Sequence, residues 1–307
     1  MKMNFDVLFW LWLAMNGGCL VVVFLYLFKD RVPVSLHNFF QWGKTEKNIN
    51  TSSLFSRLLH VPNSWFTHFY IVGVLWTTGL LYSVKIFCNK EHDTSWLYFS
   101  VSQITTSSSY TSSIDCLSVV IGLVLLLIQV SRRLLECVCI SVFTGRIHLS
   151  HYAVGIVYYV LAGASLVAPL HNTVSADWCI SCDSVLSSLH WTHVVAATLF
   201  AWASLHQYNC HVILAHLRSS SSNKTRRVYR IPHGDWFEYV SSPHYFAEIL
   251  IYLSLVVLER GQNAYLWLML VFVIQNLSIG AIVTQTWYHS KFKEYPRNRF
   301  RIIPFIF

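Results

Sequence analysis

The chain has 307 residues, 54% of them hydrophobic and 16% aromatic, with only 12% charged and a mean hydropathy of +0.47. A soluble domain carries about 25% charged residues, so a soluble enzyme with one anchor, a disordered chain and a small disulfide scaffold are excluded. The net charge of +8 reads as Lys and Arg in cytoplasmic loops rather than as a nucleic-acid surface.

Seven apolar segments follow in chain order, at about 7–28, 66–87, 114–131, 151–170, 190–214, 244–258 and 264–287, and each predicts a membrane-spanning helix. The first runs into Lys29, Asp30 and Arg31 without a small-residue cleavage site, so it reads as a retained anchor. Residues 96–104 are too short and polar to span and read as a loop. Neither an internal repeat nor mirrored halves of the inverted-repeat transporter kind are visible. A single seven-span domain over 1–307 is therefore expected, an all-α integral membrane protein.

The basic residues orient this map. Eighteen of the 22 Lys and Arg fall in the loops after the first, third, fifth and seventh segments, and only Lys2, Lys85, Lys90 and Arg260 fall on the other side. The positive-inside rule then makes the C-terminus cytosolic and the N-terminus lumenal. Cys179-x-x-Cys182 falls in a lumenal loop, where a disulfide is permitted. No βαβ pattern surrounds it to make it a redox motif.

Ionisable and amide groups inside apolar segments are costly, and each is a functional candidate. His68 opens the second segment, Gln129 and Arg132-Arg133 close the third, and Glu136 follows one turn later. Near the end of a span, His68 reads equally as an interfacial residue, and the two arginines read equally as positive-inside anchors. The fifth segment carries His206, Asn209 and Cys210 at i, i+3 and i+4, with Gln207 and His211 as a second i, i+4 pair. His244 and Glu248 share one face of the sixth, and Glu248 needs a partner there. No HExxH or paired Cys/His spacing occurs, so a hydrogen-bonded pocket for a polar ligand is favoured over a metal site. The cytosolic rim is basic and aromatic, from Tyr229-Arg230 to Tyr245 and again from Trp287-Tyr288 to Arg297. It suits an anionic ligand with flat rings, such as a nucleotide. With no GxGxxG or Walker A pattern, any nucleotide must be held among the helices.

The runs RIPHGDWFEYVSSPHYFAE, HQYNCHVILAHLR and YHSKFKEYPRNRFRIIPFIF closely resemble the steroid 5α-reductase family. GDWFEYVSSP and HQYNCHVIL resemble in particular its polyprenol (polyprenal) reductase branch. WFTHFY and QVSRRLLEC fit more loosely. The resemblance implies a seven-span endoplasmic reticulum reductase that uses NADPH to reduce a carbon–carbon double bond conjugated to a carbonyl. In this branch the substrate is a long-chain isoprenoid lipid whose α-isoprene unit is saturated on the way to dolichol for protein glycosylation. Neither a metal nor a nucleic-acid partner is implied.

Residue by residue, the family's cofactor positions match Gln207, His211 and Arg218 in the fifth segment and Tyr229 and Arg230 in the loop after it. They match His244 and Glu248 in the sixth segment and Tyr288 near the C-terminus. Arg218 and Arg230 would pair with phosphates through their planar donor forks, and His244 and Glu248 with the nicotinamide amide or ribose. Steroid members hold the substrate carbonyl with a Gln-Glu pair and a Tyr, where this chain has His68-Phe69 and approximately Val130. That points away from a 3-oxo-steroid and leaves His68 or Tyr288 as expected hydrogen-bond donors, alongside Glu248 in the catalytic set. Family members often have His just before the aromatic-Tyr pair of the last span, and this chain has Thr284-Gln285-Thr286. A steroid or other enone or enoyl-lipid reductase is the alternative enzyme. A multi-pass transporter or scaffold is the non-enzyme alternative, which predicts polar groups lining a path through the bilayer rather than gathered on the cytosolic side.

Overall fold

The computed structural model describes residues 6–28, 31, 59–88, 115–143, 145–172, 188–219 and 229–307. Residues 96–113 and the Cys179–Cys182 pair lie outside them. The chain folds as α1 (Val7–Leu27), β1 (His60–Pro62), α2 (Phe66–Cys88), α3 (Cys116–Cys139), β2 (Arg146–His148), α4 (Leu149–Val167), α5 (Trp191–Ser219), α6 (Pro243–Leu258) and α7 (Ala264–Lys291). It is a mostly helical, multi-pass membrane protein. Among the described residues α1, α3, α4 with its following turn, and α7 are long and apolar enough to cross a bilayer.

The other three helices depart from that standard for physical reasons. α2 and α5 carry polar side chains such as Thr77, Ser83, His193 and Gln207, and all four are buried inside the protein. α6 has 16 residues, about 24 Å at 1.5 Å per residue, short of a hydrocarbon core of about 30 Å. It starts with Pro243 in its first turn, where a missing N–H costs nothing.

Helix starts follow from local chemistry. Asp6 accepts from Phe9 N at 2.9 Å, Asp115 from Ser118 N at 2.7 Å and Asn263 from Tyr265 N at 3.0 Å, each satisfying a donor that a first turn leaves open. α6 ends where Gly261, at φ +68°, donates its N–H to Val256 O at 2.8 Å, a left-handed closure that glycine adopts without strain.

The largest difference from the sequence expectation is in α3, which continues eight residues beyond 131 to Cys139. Arg132, Arg133 and Glu136 neutralise one another along this extension, so charge does not end the helix. β1 and β2 form a short antiparallel ribbon with His60 opposite His148 and Val61 opposite Ile147, the one strand pair in an otherwise helical architecture among the described residues.

The core is built on close approaches. A Cβ at Gly155 would lie 2.6 Å from Phe69 and one at Gly163 would lie 2.8 Å from Trp76 and Leu80, so α2 and α4 pack nearly backbone to side chain. Trp76 Nε1 donates to Val160 O at 2.9 Å and Trp12 Nε1 to Ser165 Oγ at 2.9 Å. Both indoles thereby satisfy their only donor while burying large rings. Asn16 Nδ2 donates to Leu268 O at 3.1 Å and ties α1 to α7.

Candidate active site

The polar residues that interrupt the apolar helices converge. α3 presents Gln129, Arg132, Arg133 and Glu136 at i, i+3, i+4 and i+7, one face of a helix. α5 presents Gln207 and His211, and α6 presents Glu248. Gln129 Nε2 donates to Gln207 Oε1 and to Glu248 Oε2, both at 3.2 Å. Gln207 Nε2 donates to Glu248 Oε2, and Arg132 donates to Gln129 Oε1 at 2.6 Å and to Gln207 Oε1. Glu136 sits between both arginines and His211, whose Nδ1 is 2.6 Å from Glu136 Oε2 and 2.7 Å from Arg133 Nη1. A protonated Nδ1 donates to the carboxylate and an unprotonated one accepts from the guanidinium. His244 packs its ring 5.6 Å from that of His211, and its carbonyl accepts from Gln207 Nε2 at 3.4 Å.

One phenol joins this network. Tyr70 on α2 accepts from Arg133 Nη2 at 3.2 Å, with the guanidinium carbon 5.2 Å from its ring centre. Its ring leads to Tyr159 at 5.5 Å, Tyr158 at 5.1 Å from that, and Tyr252 at 5.7 Å beyond. Tyr252 is one turn past Glu248 on α6, so this aromatic belt begins and ends at the polar cluster.

The loop into α6 is clamped from two sides. Gly234 and Asp235 take φ +90° and +47°. Asp235 is held from α5 by His206 Nδ1 at 2.7 Å and Asn209 Nδ2 at 3.2 Å, with Trp236 stacked 4.1 Å from the His206 ring. Glu238 accepts from Gly234 N at 2.7 Å, and that N–H, with Arg299 and His233 nearby, holds its carboxyl below the usual carboxylate range. On the other side, Ser241 N donates to Phe300 O at 2.8 Å and Tyr295 Oη to Ser241 Oγ at 2.8 Å. The buried Arg299 donates to Pro232 O at 2.9 Å, and Gln285 Nε2 to Arg299 O at 2.7 Å. Gln285 is in the stretch where the family often has His, and here it anchors the tail.

Of the residues singled out by sequence, Gln207, His211, His244 and Glu248 come together. Arg218 is exposed at the end of α5, donating to Val142 O at 3.1 Å, and Arg230 is exposed beside Tyr229. Tyr229 packs on Trp287 at 4.9 Å and Tyr288 is buried, stacked on Tyr295 at 4.9 Å. These form an aromatic rim distinct from the four-residue cluster. His68 bonds Tyr152 Oη at 3.1 Å beside Trp65, at the ribbon end of α2. Gln129, Arg132, Arg133 and Glu136, candidates by their cost inside an apolar segment but matched to no site position, join this cluster, as does Tyr70, which was not singled out.

This arrangement offers planar amide and carboxylate partners in a buried setting, cations nearby, and an apolar aromatic wall. Comparison with known proteins agrees. The family described as 3-oxo-5-alpha-steroid 4-dehydrogenase matches residues 147–307. A polyprenal reductase of Xenopus tropicalis is 38% identical over 272 residues, 87% of this chain and 86% of its own length. Those of Homo sapiens and Danio rerio are 34% and 33% identical, covering 96% and 97% of this chain and 94% and 96% of their own. The helices that carry Gln207, His211 and Glu248, and the tail that locks the loop before α6, lie within the matched region. The chain belongs to the steroid 5α-reductase family.

Proposed function

We propose that this protein is an NADPH-dependent polyprenal reductase, saturating the α-isoprene double bond of a long-chain polyprenal to give dolichal. It works as one seven-span domain of the endoplasmic reticulum membrane, with the N-terminus lumenal and the C-terminus cytosolic. The observation that carries the reading is the gathering of Gln207, His211, His244 and Glu248 into one half-buried polar cluster, joined by hydrogen bonds of Gln207 and by the contact of the two imidazoles.

The donor set fits a nicotinamide nucleotide. A carboxamide needs one acceptor and one donor in a plane, which Glu248 and Gln207 offer together. Arg132 Nε is buried with no hydrogen-bond partner among the described residues, a donor left for an anionic or carbonyl oxygen. Exposed Arg218 and Arg230 are forks for phosphate, and Tyr229 and Tyr288 give flat faces on the same rim. When bound, reduced nicotinamide supplies a hydride. The protein's own residues hold the ring against the substrate, exclude water through the buried cluster, and donate to the carbonyl oxygen as charge develops there. The aromatic belt and surrounding bilayer receive the isoprenoid.

The test is turnover by the purified full chain in nanodiscs with NADPH. Formation of dolichal from polyprenal, faster than reduction of a 3-oxo-4-ene steroid, is the expected result. Absence of polyprenal reduction, or preference for the steroid, overturns it.

A further inference from the structure

Of the phenols in the belt, Tyr70 is the one that bonds a member of the polar cluster while having, among the described residues, no acceptor for its own proton; the buried Tyr158 and Tyr252 hydroxyls likewise have none but bond no residue of that cluster. Tyr70 Oη accepts from Arg133 Nη2 at 3.2 Å, and no described residue accepts the Tyr70 phenolic proton. His68 is engaged with Tyr152 Oη and Tyr288 is stacked in the rim, so neither expected donor belongs to the cluster around Glu248. Val130, at the steroid members' Tyr position, is fully buried, 3.0 Å from where a Cβ on Gly73 would lie. The belt through Tyr159, Tyr158 and Tyr252 returns to α6 one turn from Glu248. It thus runs as a continuous wall of packed rings from the Tyr70 hydroxyl at one polar end to the turn that carries Glu248 at the other.

We infer that Tyr70 is the catalytic hydrogen-bond and proton donor to the aldehyde oxygen of the bound enal, an assignment that rests on the reductase reading above. When hydride adds at the β-carbon, the double-bond electron pair shifts toward the α-carbon and the carbonyl pair moves onto oxygen. Tyr70 gives its proton to that oxygen, and the neighbouring Arg133 guanidinium offsets the phenolate charge. The resulting enol takes a proton from water at its α-carbon and returns its hydroxyl proton to Tyr70. The product is the saturated aldehyde, with a net gain of one hydride and one proton.

The experiment is isotope-edited infrared spectroscopy of 1-13C-farnesal bound to the cofactor-free full chain in nanodiscs. The carbonyl band of the wild type is expected well below its position in lipid. Tyr70→Phe returns it to the lipid position, and Tyr82→Phe, an exposed phenol on the same helix, leaves it lowered. Installing 3,5-difluorotyrosine at position 70, a stronger donor of nearly the same shape, lowers the band further and serves if Tyr70→Phe does not fold. In turnover, Tyr70→Phe is expected to lose about 100-fold in kcat, within the range for a general acid, while KM for NADPH stays within about twofold. A wild-type band at the lipid position, a lowered band in Tyr70→Phe, a band unmoved by fluorination, or unchanged kcat overturns the Tyr70 assignment. Wild-type protein that binds farnesal with a lowered band yet reduces no polyprenal overturns the reductase reading instead.

Discussion

Gln129 Nε2 lies 3.2 Å from Glu248 Oε2, a hydrogen bond that ties α3 to α6 through the centre of the site. The same carboxylate oxygen accepts from Gln207 on α5, so Glu248 joins three helices. A carboxylate so placed orders its neighbours as well as any ligand, and the two roles separate by substitution.

Glu248→Gln keeps the shape and removes the charge. Hydrogen bonds to charged groups contribute about 1.5–3 kcal/mol, and each 1.4 kcal/mol is about tenfold in affinity. NADPH affinity is expected to fall about tenfold or more by fluorescence titration, with helix content by circular dichroism unchanged. Unchanged affinity would remove Glu248 from the cofactor site.

Glu136 is buried against two arginines and His211. Removing one member of a buried charge set leaves the others uncompensated, a loss of about 3–5 kcal/mol. Glu136→Ala is expected to lower the unfolding midpoint markedly in denaturant titration. A shift within error would mean that water already compensates these cations.

Glycines on α4 and α1 make opposite predictions. Gly163→Ala places a methyl 2.8 Å from Trp76 Nε1, and that indole cannot swing aside without breaking its bond to Val160 O. Overpacking of this kind costs about 1–3 kcal/mol. Gly17 and Gly18 have no atom within 4 Å of the added carbon, so Ala there should be neutral or stabilising through helix propensity. Thermal unfolding of the three variants side by side checks both halves; equal midpoints would contradict the packing between α2 and α4.

Glu259, in the turn between α6 and α7, is buried with Oε2 2.7 Å from Asn263 Nδ2, and burial pushes its carboxyl up to about 8, with Asp115 adding to the rise. The folded state therefore favours the neutral acid. Its contribution to stability is complete below the unfolded value of about 4.3 and is lost as pH rises toward about 8. Glu259→Gln should flatten the pH dependence of the unfolding midpoint across that window and raise the midpoint at its upper end. An unchanged pH profile would show that Glu259 is solvated.

Most of the framework was legible in the sequence, because apolar runs and capping residues act locally. The helix limits at α1, α2, α6 and the start of α7 fall within a residue of the expected segments. α3 ran on because mutual neutralisation of Arg132, Arg133 and Glu136 depends on side-chain geometry that no hydropathy window contains. The same blind spot left the α3 candidates without a role: read singly, each arginine serves as well for an ordinary anchor at a span end. Tyr70 was hidden for another reason, since a tyrosine near a helix start is usual at a membrane surface, and its link to Arg133 spans 63 positions of sequence. The ribbon of three-residue strands is too short to show alternation.

The latch on the loop before α6 is made by residues that come much later in the chain. Arg299 reaches back 67 and 61 positions to Pro232 and Glu238, and Phe300 bonds back to Tyr239 and Ser241 over a similar stretch. During synthesis, therefore, the loop emerges with only its α5 side in place, through His206 and Asn209, and its second clamp is made last. A nonsense codon just after Lys291 would leave every helix described above in the chain, yet leave the loop held from α5 alone. Such a truncated product would keep its helices and lose the set of the loop that leads into α6.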